Sequence, residues 1–122
     1  MSASDDILIL GIRMTKFGKH PDKDTVDLAA EAATGALADA GVTMADIGVI
    51  AAGNLMAANA GIGQQLQKQI GQTGIPVYNV ANACATGATA LRTAIMAVKA
   101  GEVKYGLAVG RSPCPPARRC RT

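Results

Sequence analysis

In Val77-Tyr-Asn-Val-Ala-Asn-Ala-Cys84-Ala-Thr-Gly87-Ala-Thr-Ala-Leu-Arg-Thr-Ala-Ile-Met-Ala-Val-Lys99 the hydrophobic pattern changes its period midway, with a cysteine at the change. Val77 to Val80 reads as a short strand after Pro76. From Cys84 to Ala100 the pattern is helical, with Ala88, Leu91, Ile95 and Val98 at heptad-like spacing. The opposite side carries Ala90, Ala94 and Ala97, interrupted mainly by Thr89, Arg92 and Thr93. A helix apolar nearly all round is expected to be covered on both sides. Gly101 ends it, and Tyr105-Gly-Leu-Ala-Val-Gly110 reads as the next strand.

Upstream, Ile7-Leu-Ile-Leu-Gly-Ile12 is a continuous apolar run whose length predicts a fully buried strand of a parallel sheet. A polar loop from Lys16 to Lys23 follows. Asp24 or Thr25 offers a helix N-cap, with Asp27 in the first turn where the helix dipole favours a negative charge. Val26, Ala29, Ala33, Leu37 and Ala40 share one helical face, and Gly41 is the stop signal. Ile47-Gly-Val-Ile-Ala-Ala52 predicts a strand ending at Gly53-Asn54. A glycine-marked turn at Gly61 and Gly63 then opens a helix running to Ile70 and closed by Gly71 and Gly74. Strands alternating with helices predict right-handed βαβ units, a mostly parallel sheet and the order βαβαβαβ.

The chain has 122 residues, enough for one domain with one core. Apolar residues make up 49% of it and charged residues 17%, so disorder is not the default reading. Phe17, Tyr78 and Tyr105 are the only aromatics, so the core is built from Ala, Val, Ile, Leu and Gly. No apolar run is long enough for a membrane span. No basic region precedes the first apolar stretch, so no secretory signal is visible and the cytoplasm is the expected compartment.

The net charge of +3 arises locally: Arg111, Arg118, Arg119 and Arg121 lie in the last twelve residues with no acid. Residues 1–110 carry the other eight Lys and Arg and all nine acids. With no interleaved aromatics, the basic tail does not mark a nucleic-acid partner. Residues 111–122, Arg-Ser-Pro-Cys-Pro-Pro-Ala-Arg-Arg-Cys-Arg-Thr, break with the preceding periodicity. Pro, Arg, Ala and Cys are what a GC-rich gene yields out of frame. The expected organisation is therefore a domain over residues 1–110 and an unstructured tail over 111–122.

Three cysteines and one histidine give no metal-ligand spacing, so no metal site is expected. Cys114 and Cys120 lie in the tail, and Cys84 stands alone in the body. A thiol at the join of a strand and a helix meets free backbone N–H groups and the positive end of the helix dipole, both of which favour the nucleophilic thiolate. That join lies at the carboxyl edge of a parallel sheet, where open α/β folds bind ligands. Gly87 leaves room there for a close approach. The other reading of Cys84 is a small buried hydrophobe. His20, in Gly-Lys-His-Pro-Asp-Lys, reads as a solvated loop residue, not a general base. Gly61-x-Gly63 lacks both the dinucleotide fingerprint and a P-loop lysine and reads as a turn. Arg92 reads as an ion-pairing or interface residue, and Met44, Met56 and Met96 as core or loop fillers.

Cys84-Ala-Thr-Gly87, preceded by Val80 and followed by Ala90-Leu91 and Val98, resembles the nucleophile signature of the thiolase superfamily. Gly53-Asn54, Gly61-x-Gly63-Gln64, Gly74-Ile-Pro76, Gly101 and Leu107-Ala-Val-Gly110 fall where thiolases have like residues. Gly11-Ile-Arg-Met-Thr-Lys-Phe-Gly18 is similar to the lipid-transfer or sterol-carrier branch. Two positions depart from the pattern: Ala81, where many thiolases carry Asn, Ser or Thr, and Arg13, where that branch commonly has a small residue. The resemblance covers about residues 6–110.

It implies an α/β thiolase-like half in three layers, with the nucleophile helix buried. It also implies acyl transfer between coenzyme A thioesters, with no bound cofactor and Cys84 as the catalytic nucleophile that carries the acyl group. The amide of Cys84 would be one donor to the oxyanion. Acyl-CoA and CoA would be the small-molecule partners, and full-length members would form homo-oligomers. The activating His, a second catalytic Cys and a further His belong to the second half of the family's chain. This sequence stops before them, so the chain alone is expected to be inactive. A non-catalytic half-domain that binds a partner or an acyl chain is the alternative, and a cysteine hydrolase a third reading.

Overall fold

The computed structural model describes residues 6–16, 18, 22–54 and 61–110. The expected tail (111–122) and His20, Phe17 and Met56 lie outside the described residues. The elements are α1 (Thr25–Ala40), β1 (Val49–Gly53), α2 (Ile62–Ile70), β2 (Val77–Val80), α3 (Thr86–Lys99) and β3 (Gly106–Gly110).

Local chemistry sets the limits of α1. The Asp24 side chain accepts from Asp27 N–H at 2.8 Å, while the Asp27 carboxylate accepts from Asp24 N–H at 3.2 Å. Two of the helix's orphan donors are thereby satisfied reciprocally. Asp27 also accepts from the Gln69 side chain at 3.2 Å, tying this cap to α2. Its carboxyl is held below the usual carboxylate range, chiefly by the Asp24 backbone N–H and next by Gln69. Gly41, at φ 72°, supplies the left-handed stop. A short 3₁₀ turn, Met44–Asp46, leads into β1.

The three strands are parallel in the order β2-β1-β3, with Ile50 opposite Val77 and Leu107, and Gly53 opposite Val80 and Gly110. Because strand side chains alternate, β1 serves two faces. Ile50 packs with Leu107, Val109, Leu66 of α2 and Ala29, Ala33 and Leu37 of α1. On the other face Ala51 packs with Ala90 and Ala94 of α3, flanked by Val80 and Ala108. Helices thus cover both faces, giving the three layers and the parallel α/β class that the sequence predicts.

Two particulars differ. Residues 7–12 do not form a strand: Leu8, Ile9, Leu10 and Ile12 are each 50–75% exposed. The end of this segment is held by α1 instead of by the sheet. Ile12 N–H donates to the Asp39 carboxylate at 2.9 Å, and Gly11 lies so close to Ala36 and Ala40 that a methyl there would come within 2.5 Å of their backbone. A groove of about 590 Å³, lined by this segment, α1, α3 and β3, separates it from the outer strand. Secondly, among the described residues α3 is covered on one side only. Its small residues meet the sheet, while Leu91 and Met96 are 42% and 52% exposed.

The close contact between α3 and the sheet depends on glycine. A methyl at Gly53 would lie 2.9 Å from Thr86 Cγ2 and 3.0 Å from the Thr86 carbonyl oxygen. At Gly87, inside α3, a methyl would meet nothing within 4 Å. Gly53→Ala is therefore expected to lose about 1–3 kcal/mol through overpacking. Gly87→Ala should be neutral or gain up to about 1 kcal/mol through helix propensity. Thermal unfolding of the two variants checks the opposite signs; an equal effect would mean that Gly53 does not set the spacing.

Candidate active site

Parallel strands end at one edge, here at Gly53, Val80 and Gly110. The chain leaves β2 at Val80, turns through residues 81–85 and enters α3 at Thr86, so Cys84 stands at that carboxyl edge. It is a free, exposed cysteine, which removes the reading of a buried hydrophobe. The first bond of the α3 ladder to reach back into the turn runs from Thr89 N–H to the Ala85 carbonyl at 2.9 Å. The amides of Gly87 and Ala88 thus precede the ladder, as helix-start amides do.

The turn itself is tightly bonded. Ala85 N–H donates to the Asn82 carbonyl at 2.9 Å, and Thr86 N–H to the Ala83 carbonyl at 3.3 Å. Thr86 Oγ1 accepts from Asn82 N–H at 2.8 Å and donates to the Ala83 carbonyl at 2.7 Å. Asn82 Nδ2 donates to Thr89 Oγ1 at 3.0 Å, and that hydroxyl donates to the Ala85 carbonyl at 3.0 Å. Ala83, immediately before the cysteine, has φ 47°, the one positive value at a non-glycine among the described residues. For an L-residue this conformation costs roughly 1–2 kcal/mol, and such strain concentrates at functional sites.

The sequence does not mark Ala83, and it marks Thr86 only as a member of the Cys84-Ala-Thr-Gly87 signature. Alanine gives no hint of a left-handed position, which Gly or Asn would have marked. Thr86 did carry a signal: a hydroxyl residue at a helix start, spaced to bond the backbone three residues before it.

The other sequence candidates have partners of their own or stand exposed. Gly63 N–H is already donated to Asn79 Oδ1 at 2.7 Å, and Asn79 Nδ2 donates to Gln64 Oε1 at 2.6 Å. The Gly61-x-Gly63 turn therefore fastens α2 to β2, and this amide is not open to a phosphate. Arg92 is exposed on α3, and no ion pair to it occurs among the described residues. Met44 is buried, as a core filler should be, whereas Met96 is exposed. No group of three or more His, Cys, Asp or Glu side chains is arranged to hold a metal among the described residues. No helix among them is long and apolar enough to cross a membrane.

Replacing Ala83 tests the strained turn directly. Ala83→Val puts a β-branched side chain at positive φ and should cost about 1–3 kcal/mol. Ala83→Asn, whose side chain tolerates that region, should stay within about 0.5 kcal/mol of the parent. Denaturant unfolding of both variants is the measurement, and equal stabilities would remove the left-handed residue from the account.

The sequence and the fold have known counterparts. A family model described as the thiolase N-terminal domain matches residues 7–112. The chain is 38% identical over 109 residues to an acetyl-CoA acetyltransferase of Methanothermobacter thermautotrophicus, covering 86% of this chain and 28% of that protein. It is 36% identical over 107 residues to sterol carrier protein 2 of Homo sapiens, covering 85% of this chain and 20% of that one. Its fold is shared with 3-oxoacyl-[acyl-carrier-protein] synthase III from Aquifex aeolicus VF5, at a TM-score of 0.70 and 22% identity, over 75% of this chain and 30% of the other. The chain thus spans less than a third of the length of these relatives. With the family model covering most of its residues, the chain belongs to the thiolase family, to whose N-terminal domain it corresponds.

Proposed function

We propose that Cys84 is the nucleophile of a thiolase-type acyl transfer that uses coenzyme A thioesters. The observation that carries this reading is the exposed thiol at the carboxyl edge of the sheet, ahead of the α3 ladder, in a thiolase N-terminal domain. The Cys84 sulfur attacks the thioester carbonyl, and a new carbon–sulfur bond forms to the protein. The bond from the acyl carbon to the CoA sulfur breaks, and CoA leaves with the proton that Cys84 gives up. Amides at the start of α3 are suited to stabilise the oxyanion in between. A second thiol or a carbon nucleophile then takes the acyl group. The reducing cytoplasm suits a chemistry that needs a free thiol.

The chain alone is proposed to stop after the first half-reaction. Its one histidine, His20, lies in a polar stretch far from Cys84 in sequence. Loss of a positioned base costs roughly a hundred- to ten-thousand-fold in rate. The exposed side of α3, with Leu91 and Met96, is the face against which a complementing segment would pack and bring that base. The same face favours a second reading, a half-domain that only binds a partner.

Incubation of the purified chain with acetyl-CoA separates these readings. At most one acetyl group should appear per chain, on the Cys84 peptide, with CoA release not exceeding one equivalent. Cys84→Ala should abolish it. Repeated CoA release that depends on Cys84 would overturn the single-turnover reading. Acetylation indifferent to Cys84→Ala would leave only the binding module.

A further inference from the structure

Thr86 is one of the two polar residues among those buried in the described structure, at 8% exposure, and it sits two residues after the cysteine. Its hydroxyl uses both hydrogen-bonding capacities within the turn. It accepts from Asn82 N–H at 2.8 Å and donates to the Ala83 carbonyl at 2.7 Å. One oxygen atom therefore bridges the two residues immediately before Cys84, and one of them is the left-handed Ala83. The other end of the side chain is fixed by the sheet, since Thr86 Cγ2 packs over Gly53, where an added methyl would lie 2.9 Å away. The rotamer is thus set from both sides, by packing at the methyl and by bonding at the hydroxyl.

Given the reading of Cys84 as nucleophile, on which this inference rests, we propose that Thr86 is its positioning residue. The hydroxyl clasp holds Ala83 in its left-handed conformation and so fixes the direction in which the next residue presents its thiol. Without the hydroxyl, Asn82 N–H loses its acceptor. The Ala83 carbonyl keeps only the longer bond from Thr86 N–H at 3.3 Å. The turn is then free to relax, and Cys84 no longer sits in one orientation over the start of α3.

Three variants of the full chain separate positioning from packing. Thr86→Val keeps the shape and removes the hydroxyl; Thr86→Ser keeps the hydroxyl and removes the methyl; Thr86→Ala removes both. Two rates are read: acetylation of Cys84 by acetyl-CoA and its alkylation by iodoacetamide, each resolved by peptide mass, with Cys114 and Cys120 as internal references. Thermal midpoints are measured alongside.

Both rates at Cys84 should fall roughly ten- to a hundredfold in Thr86→Val, as a small misplacement of a reacting group does. Thr86→Ser should restore them to within about threefold, a range well inside a single tenfold step, even if its thermal midpoint is the lower of the two. A purely structural role would make the rates follow the midpoints instead of the hydroxyl, which would overturn the proposal. Parent-like rates in a folded Thr86→Val would do the same. If Thr86→Val does not fold, the Ser and Ala variants still differ only by the hydroxyl, and equal rates in that pair would sink the idea. Alkylation reports the thiol without any acyl-CoA chemistry. Hence a failure of acetylation in every variant, with alkylation still following the hydroxyl, would count against the acyl-transfer reading and leave the positioning role intact.

Discussion

The contact between α3 and the sheet leaves almost no room for side chains, and the rest of the site follows from it. From the sheet come Gly53, Ala51, Gly106 and Ala108, and from the helix Thr86, Ala90 and Ala94. At Gly110 an added methyl would lie 3.2 Å from the Gly87 backbone. Such residues contribute little apolar area each, but they let a helix and a sheet approach at backbone distance, where dispersion contacts are many. This spacing also fixes how high the start of α3 stands over the strand ends. A chain leaving β2 at Val80 has five residues in which to climb to Thr86. The left-handed turn at Ala83 is where that climb is accomplished, and Cys84 is the next residue along.

Much of this order was legible because it is written in punctuation. Asp24 and Asp27 announce the start of α1 and Gly41 its end, and both signals act locally through named hydrogen bonds. Val77–Val80 and the helix after it were readable from the change of period, and Cys84 from its place at that change. What the sequence left open were matters of partnership. The run Ile7–Ile12 has the composition of a buried strand, but composition says only that burial is favourable, not which edge will accept the strand. In the structure the nearby backbone is engaged by Asp39 and by the close approach of Gly11 to α1.

The two sides of α3 show the same limit in another form. Its periodicity displayed two apolar stripes and could not rank them. A count of hydrophobicity favours Leu91, Ile95 and Val98, yet the sheet takes Ala90 and Ala94. Size, not hydrophobicity, selects the inner face when the opposing surface is lined with glycine and alanine. Leu91 and Met96 are then left at the surface of this chain. The roles of Ala83 and Thr86 are hidden in the sequence for a different reason. A left-handed alanine is identified only by its dihedral angle, and a threonine clasp only by the two backbone groups that it joins.

These two constraints meet in one side chain. Thr86 turns its methyl to Gly53 at the end of a central strand and its hydroxyl to the turn that carries Cys84. The sheet therefore reaches the thiol through a short chain of contacts: Gly53 admits the methyl, the methyl fixes the rotamer, and the rotamer aims the hydroxyl at Asn82 and Ala83. A larger residue at position 53 would act on Cys84 without touching it, by lifting the helix start away from the turn. A residue without the hydroxyl at position 86 would act without lifting anything, by releasing the turn. The small residues of the sheet and the polar residue of the helix are thus parts of a single mechanical unit, and neither explains the placement of the thiol without the other.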